Sequence, residues 1–271
     1  MTTASGPVAS LTDREPLFQL DGISLERQGR EILPPLTLSL EAGRVHALIG
    51  LNGSGKSTLL NILARQIRPD AGSLHFLGQR LTDYGGRELA RLLAYMPQFP
   101  PSSDGMRVRD LVALGRFAWH GTLGRFSHRD RDKVEDALAA TGLTAMADRV
   151  VDSLSGGERQ RAWLAMMIAQ DTRCLLLDEP TSALDIPHQV DMLELLRDLA
   201  RSRDMSAVVV LHDINMAARV ADRIVALEAG RVIANGTPDA VMRADVLSRI
   251  YRVEMHTMPH PASGKPIGFP A

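Results

Sequence analysis

Apolar residues recur along this chain in two rhythms, and the rhythm changes from segment to segment. Residues 17–48 alternate apolar with polar, which predicts strands around 18–25 and a hairpin turn at Gln28, Gly29 and Arg30. Pro34 and Pro35 are read as breaking that segment. RVHALIG at 44–50 reads as a short apolar strand entering a glycine-rich turn. A helix follows over 56–67, with Leu59, Leu60, Ile62 and Leu63 on its buried side, and Pro69, Asp70 and Gly72 stop it. A strand and turn are expected over 73–81, and an apolar strand over 92–96 ends at Pro97.

Beyond that point the pattern turns helical. QFPPSSDGM at 98–106 is too rich in Pro, Ser and Gly for a regular element. Helices are expected over 108–114 and 130–142. Between them GRFAWHGTLGRF at 115–126 concentrates Trp119, Phe117 and Phe126 in a chain that is only 4% aromatic. A helix over 155–169 starts at a Ser-Gly-Gly turn, and 174–177 is an apolar strand. Val190, Leu193, Leu196 and Leu199 make 186–201 a helix. SAVVVL at 206–211 is a β-branched strand ending at His212. Residues 215–221 are helical, and 224–228 and 231–235 are short strands around Gly230. The remainder reads as a helix and then an irregular tail, and 1–16 as a loose tail. Strands and helices alternate on both sides of 98–160, so a mostly helical insert interrupts an α/β core.

Bulk properties narrow the classes. Hydrophobic residues make up 45% and charged residues 23%, as in packed globular proteins. A net charge of -1 gives no case for a nucleic-acid partner. The one cysteine, Cys174, excludes a disulfide framework within the chain and a cysteine metal site, and reads as a buried strand thiol. No stretch approaches the roughly 20 apolar residues that span a bilayer. The first residues lack the basic start and apolar core of a secretory signal. The expectation is a cytosolic chain that reaches a membrane only by docking onto something that spans it.

Three segments carry candidate chemistry. GLNGSGKST at 50–58 follows a strand and opens a helix, as a phosphate cradle requires. Its glycines turn backbone N–H groups inward, Lys56 reaches β and γ phosphates, Ser57 offers a hydroxyl to Mg²⁺, and Thr58 braces an α-phosphate. A glycine-rich turn without function is the bland alternative. CLLLDEP at 174–180 puts Asp178 and Glu179 at a strand end, where adjacent side chains point opposite ways. Asp178 would hold the metal and Glu179 would polarise water, unless the pair is a solvated turn. Gln98 and His212 each follow an apolar strand. Alone they read as a surface glutamine and a structural histidine, and Asp213 as a helix cap.

With LSGGERQ at 154–160, these segments closely resemble the ATP-binding cassette (ABC) ATPases, over about 17–250, leaving 251–271 as a C-terminal tail. The resemblance implies an α/β P-loop NTPase fold. It has a RecA-like core, an antiparallel β subdomain, and an α-helical subdomain inserted at about 98–165. It implies ATP and Mg²⁺ as cofactors and a head-to-tail pair of copies. Gly50, Asn52, Gly53, Ser54, Gly55, Lys56, Ser57 and Thr58 would bind nucleotide, and Ser57, Gln98 and Asp178 the metal. Glu179 would be the base, with His212, Gln98 and Lys56 completing the catalytic set. Ser155, Gly156 and Gly157 would reach the ATP of the second copy, and Asp185 in SALD would cross the interface. The family usually stacks adenine on an aromatic residue just before a glycine in the first hairpin. ERQGR at 26–30 has none, and Arg27 takes that place through its guanidinium plane.

Three runs, at 116–126, 149–191 and 210–222, resemble most the ATPases of bacterial iron–siderophore importers, above all those for ferric hydroxamates. That implies a transmembrane permease, a periplasmic siderophore-binding protein met only indirectly, and a place on the cytoplasmic face of the inner membrane. Haem and vitamin B12 importers are neighbouring readings. A soluble ABC ATPase of iron–sulfur assembly is the rival from another class. Phe99, Met106 and Phe117 are expected to border the groove for a permease helix. Trp119 reads equally as groove or as core of the insert.

Overall fold

Alternation in the opening segment folds as an antiparallel pair, β1 (Pro16–Arg27) and β2 (Arg30–Glu41). Gln28 and Gly29 turn the chain with φ of 54° and 72°, the left-handed pair that a tight hairpin requires. The computed structural model describes residues 16–121, 124–262 and 264–271; of the loose tail expected at 1–16 all but Pro16, which opens β1, lies outside them, as do Thr122 and Leu123 of the aromatic run. Pro34 and Pro35 do not break β2. Leu33 pairs with Leu25 and Leu36 with Ile23, so the strand absorbs both prolines in a bulge. It can do so because β2 is an edge strand, where a missing N–H interrupts no second ladder.

The chain continues through β3 (Val45–Ile49) and α1 (Lys56–Leu63), then β4 (Ala71–Phe76) and β5 (Gln79–Arg80). β4 and β5 complete an antiparallel sheet in the order β2-β1-β4-β5. A helix absent from the sequence reading, α2 (Gly86–Leu92), precedes β6 (Leu93–Met96). The insert follows as α3 (Val108–Leu114), α4 (Phe117–His120), α5 (His128–Ala140) and α6 (Gly156–Ala169). The α/β pattern then resumes with β7 (Cys174–Asp178), α7 (Ile186–Ser202), β8 (Ser206–Val210), α8 (Ile214–Val220), β9 (Arg223–Glu228) and β10 (Arg231–Gly236). The last elements are α9 (Pro238–Val241), α10 (Ala244–Tyr251), β11 (Met255–Pro259) and β12 (Pro266–Pro270).

The central sheet runs β10-β9-β3-β8-β7-β6, parallel from β9 to β6 with β10 antiparallel at one edge. Strand parity divides its core. Leu48, Cys174, Leu176, Val208 and Val225 face α1 and the antiparallel sheet. Ala47, Ile49, Leu175, Leu177 and Val209 face the side of α6, α7 and α8. Burial on both faces explains why these strands read as unbroken apolar runs. It also pushes the Cys174 thiol up, away from reactivity.

Two further segments depart from expectation. The residues after 251, expected to be irregular, pair as the hairpin β11–β12, with Met255 opposite Pro270 and Pro259 opposite Pro266. In a two-stranded ribbon one side of each strand needs no donor, so the prolines fit. In the insert, Arg116 is buried and binds Asp130 at 2.9 Å and the Ala169 carbonyl at 2.8 Å. Trp119 lies within 5.1 Å of the Arg91 guanidinium and 5.0 Å of Arg116, and donates its indole N–H to Gln170 at 2.7 Å. Trp119 thus belongs to the internal frame of the insert, whereas Phe117 and Phe99 are exposed.

Candidate nucleotide site

The site forms where the C-terminal ends of β3, β6, β7 and β8 meet the start of α1, the edge of a parallel sheet where ligands bind in α/β folds. Gly50 leaves β3 with φ of 141°, and a Cβ there would lie 2.2 Å from the Leu227 carbonyl oxygen. Only glycine lets the loop pass that close to β9. Gly55 precedes α1 in the left-handed region and supplies no side-chain cap. The first N–H groups of α1 therefore stay free of a side-chain partner and lend the helix's positive end to an anion. The hydroxyl of Ser54 is buried without a protein partner, a further donor within the cradle.

Lys56 is buried and donates to the Gly50 carbonyl at 2.9 Å and the Leu51 carbonyl at 3.0 Å. Burial pulls its ammonium below the usual lysine range, against the pull of Glu179 and Asp178. Parity places Asp178, like Cys174 and Leu176, on the α1 side of β7. There its Oδ1 accepts the Ser57 hydroxyl at 2.9 Å. Burial pushes the Asp178 carboxyl up, and the Ser57 hydrogen bond opposes that shift. A hydroxyl and a carboxylate side by side are the hard oxygen donors that suit Mg²⁺, so the residues fit that ion.

Glu179 corrects the strand-end argument. It is not the next residue of an extended strand, because β7 stops at Asp178 and Glu179 has φ of 50°. A left-handed backbone, not strand alternation, aims its carboxylate. Oε2 accepts from the Gln98 amide at 2.6 Å, and Oε1 meets His212 Nε2 at 2.6 Å. Side chains that follow three neighbouring strands, β6, β7 and β8, thus close on one carboxylate.

A cleft of about 700 Å³ opens over these groups, lined by Ile32, Asn52, Gly53, Ser54, Gly55, Lys56, Ser57, Thr58, Gln98, Glu179 and His212. Two expected residues act from behind it: Gly50 through its carbonyl on Lys56, and Asp178 through Ser57. Arg27 does not line the cleft. Its guanidinium pairs with Asp70 at 3.3 Å and donates to the Glu26 carbonyl at 2.7 Å. Ile32, which the sequence reading missed, lines the cleft from the same hairpin. It is the first apolar residue after the turn, and that was the available signal.

Ser155, Gly156, Gly157 and Asp185 are not brought to this cleft within one chain. Ser155 caps α6 in a reciprocal pair with Glu158, its N–H donating to Glu158 Oε2 at 2.8 Å. Gly157 faces the His188 ring so closely that a Cβ would sit 2.8 Å from its Cδ2. Asp185 caps α7 and binds the His188 ring.

A phosphate loop after β3, a carboxylate at the end of β7 with β8 between the two strands, and a parallel sheet with an added antiparallel sheet define a P-loop ATPase. The chain belongs to the ABC transporter family, whose sequence model matches residues 33–182. It is 41% identical over 235 residues to a ferric enterobactin transport ATP-binding protein of Escherichia coli, covering 87% of each chain. It is 37% identical over 253 residues to an iron(3+)-hydroxamate import ATP-binding protein of Bacillus subtilis, covering 92% of this chain and 94% of the relative. Among solved structures it is similar to a metal-chelate type ABC transporter in an inward-facing conformation. There the TM-score is 0.82 at 29% identity, over 94% of this chain and 97% of the other. ATP binding and hydrolysis for a transporter follow from that membership. No helix among the described residues is long and apolar enough to cross a membrane.

Proposed function

We propose that this chain is the subunit that hydrolyses ATP to drive uptake of iron chelates, ferric hydroxamates foremost, through a membrane permease on its cytoplasmic side. The observation that carries the chemistry is the Glu179 carboxylate held between Gln98 and His212 above Lys56. The support for the cargo is the pair of iron-chelate transport relatives and the three sequence runs.

The residues divide the work as follows. The loop N–H groups and Lys56 carry the charge of the β and γ phosphates. Glu179 takes the proton of the attacking water as its oxygen bonds to the γ-phosphorus and the bond to the β–γ bridging oxygen breaks. ADP and phosphate leave. His212 and Gln98 fix the direction of that carboxylate. Ser57, Asp178 and Gln98 would hold Mg²⁺, which when bound neutralises charge on the phosphates. Ser155, Gly156 and Gly157 close the site from a second copy, in keeping with their not lining the cleft of their own chain. Ile32 offers the adenine an apolar surface in place of an aromatic ring.

The test is uptake. Cells lacking this chain should lose import of iron-labelled ferric hydroxamate, and the parent gene but not a Glu179→Gln copy should restore it. Loss of haemin uptake with hydroxamate uptake intact would overturn the cargo assignment and leave the ATPase standing. Mild-detergent purification from native membranes should bring down a polytopic permease. A soluble assembly partner in its place would overturn the transporter reading.

A further inference from the structure

His212 is joined to the far end of the chain by a short run of contacts. Asp213 caps α8, its Oδ1 accepting from the N–H groups of Asn215 and Met216 at 2.7 and 3.1 Å. Asn215 then turns its carboxamide onto β12. Its Nδ2 donates to the Gly268 carbonyl at 3.0 Å, and its Oδ1 accepts the Gly268 N–H at 2.8 Å. One planar amide thereby satisfies both backbone groups of one residue and fixes its orientation as well as its distance. Gly268 is seated against α10 so closely that a Cβ would lie 2.6 Å from Leu247 Cδ1. A cavity of about 360 Å³ follows this seam, bordered by His212, Tyr251 and Gly268 alike.

The hairpin β11–β12 pairs with neither larger sheet. Its strands pack on α10 and α8, and the Asn215 amide is its polar tie to α8. α8 begins at Ile214, two residues after His212, and a helix shifts as a rigid piece. The His212 contact with Glu179 is 2.6 Å long, and a hydrogen bond does not survive a displacement of about 1 Å.

We propose that the C-terminal hairpin sets His212 against Glu179 by holding the first turn of α8, with Asn215 as the positioning residue. This rests on the reading of His212 as part of the hydrolytic machinery. It gives Pro266–Pro270 a task in turnover.

The experiment is a double-mutant cycle in the full chain, purified with the permease it brings down, with ATP hydrolysis and nucleotide binding measured separately. Asn215→Ala should lower kcat about tenfold at unchanged KM for ATP, the scale of coupling through one packed contact. In a His212→Ala background the same substitution should cost nothing further, because there is no ring left to position. Asn215→Gln, which keeps both amide functions, should recover most of the loss. Gly268→Ala, which pushes on the hairpin from the Leu247 side, should reproduce the Asn215→Ala phenotype if the latter variant fails to fold. Equal losses in the two backgrounds, or no loss in either, would overturn the hairpin proposal while leaving His212 in place. Unchanged turnover in His212→Ala alone would overturn both readings.

Discussion

Glu179 is the residue on which most of the chemistry converges, and its surroundings make its substitution informative. Glu179→Gln keeps the volume and one acceptor but removes the base. Hydrolysis should fall at least about a hundredfold while ATP binding persists and the closed pair of copies accumulates. Equal steady-state hydrolysis by variant and parent would remove Glu179 from the role. Gly50 offers a contrasting case, where the backbone matters and the side chain is the intruder. Gly50→Ala forces a Cβ to within 2.2 Å of the Leu227 oxygen, so the loop must move off β9. A loss of about 1–3 kcal/mol in unfolding free energy and of nucleotide affinity is expected, read by denaturant melts and by titration with a fluorescent ATP analogue. Residue identity alone announced both positions. It did not announce the left-handed conformation of Glu179, because nothing in DEP distinguishes a strand that continues one residue further from one that turns.

At the scale of elements, legibility followed burial. β3, β7 and β8 are covered on both faces and read as short apolar runs, and their ends were found within a residue. α2 escaped because only Leu89 of its seven residues is buried, which leaves little periodicity to detect. The hairpin β11–β12 escaped because prolines and glycines are loop signals in a sequence, whereas a two-stranded ribbon tolerates both. Arg27 was expected on the nucleotide because of its place before Gly29. Asp70, 43 positions away, holds it instead, and no local pattern reports such a partner. The insert supplies a prediction of its own. Burial pushes the Asp130 carboxyl up, but hydrogen bonds from Ser127 and the Arg116 guanidinium outweigh it and hold the group down to about 2. A lowered folded value means stability that is complete above the unfolded carboxyl value of about 3.9 and is lost as the pH falls through about 2. Acid melts of parent and Asp130→Asn should therefore differ most above that window and converge below it. At neutral pH, Asp130→Ala leaves Arg116 buried and unpaired, and should cost about 3–5 kcal/mol. Identical melts of Asp130→Ala and parent at neutral pH would show that the insert does not depend on the pair.

At the scale of the whole molecule, the separation of Ser155 from the Lys56 cleft sets a test of head-to-tail pairing. A Lys56→Ala copy and a Ser155→Arg copy should each be inactive alone. Mixed, they form pairs in which one of two sites draws an intact Lys56 from one copy and an intact Ser155 from the other. Activity should return to about a quarter of the parental rate, since about half the pairs are mixed and each holds one whole site. No recovery, with mixed pairs demonstrated by differential tags, would refute the pairing. The outer margin of the molecule bears on a different matter. β2 is a twelve-residue edge strand, long enough to serve as a template for a foreign strand. Pro34 and Pro35 remove two adjacent donors from its middle, and the turn between β9 and β10 covers the same stretch, with Gly230 directly beside Pro34. The residues that seemed to interrupt the fold thus keep it from spreading. Replacing both with threonine would repair the row of donors and leave a ribbon on which neighbouring molecules could nucleate fibrils in a concentrated stock.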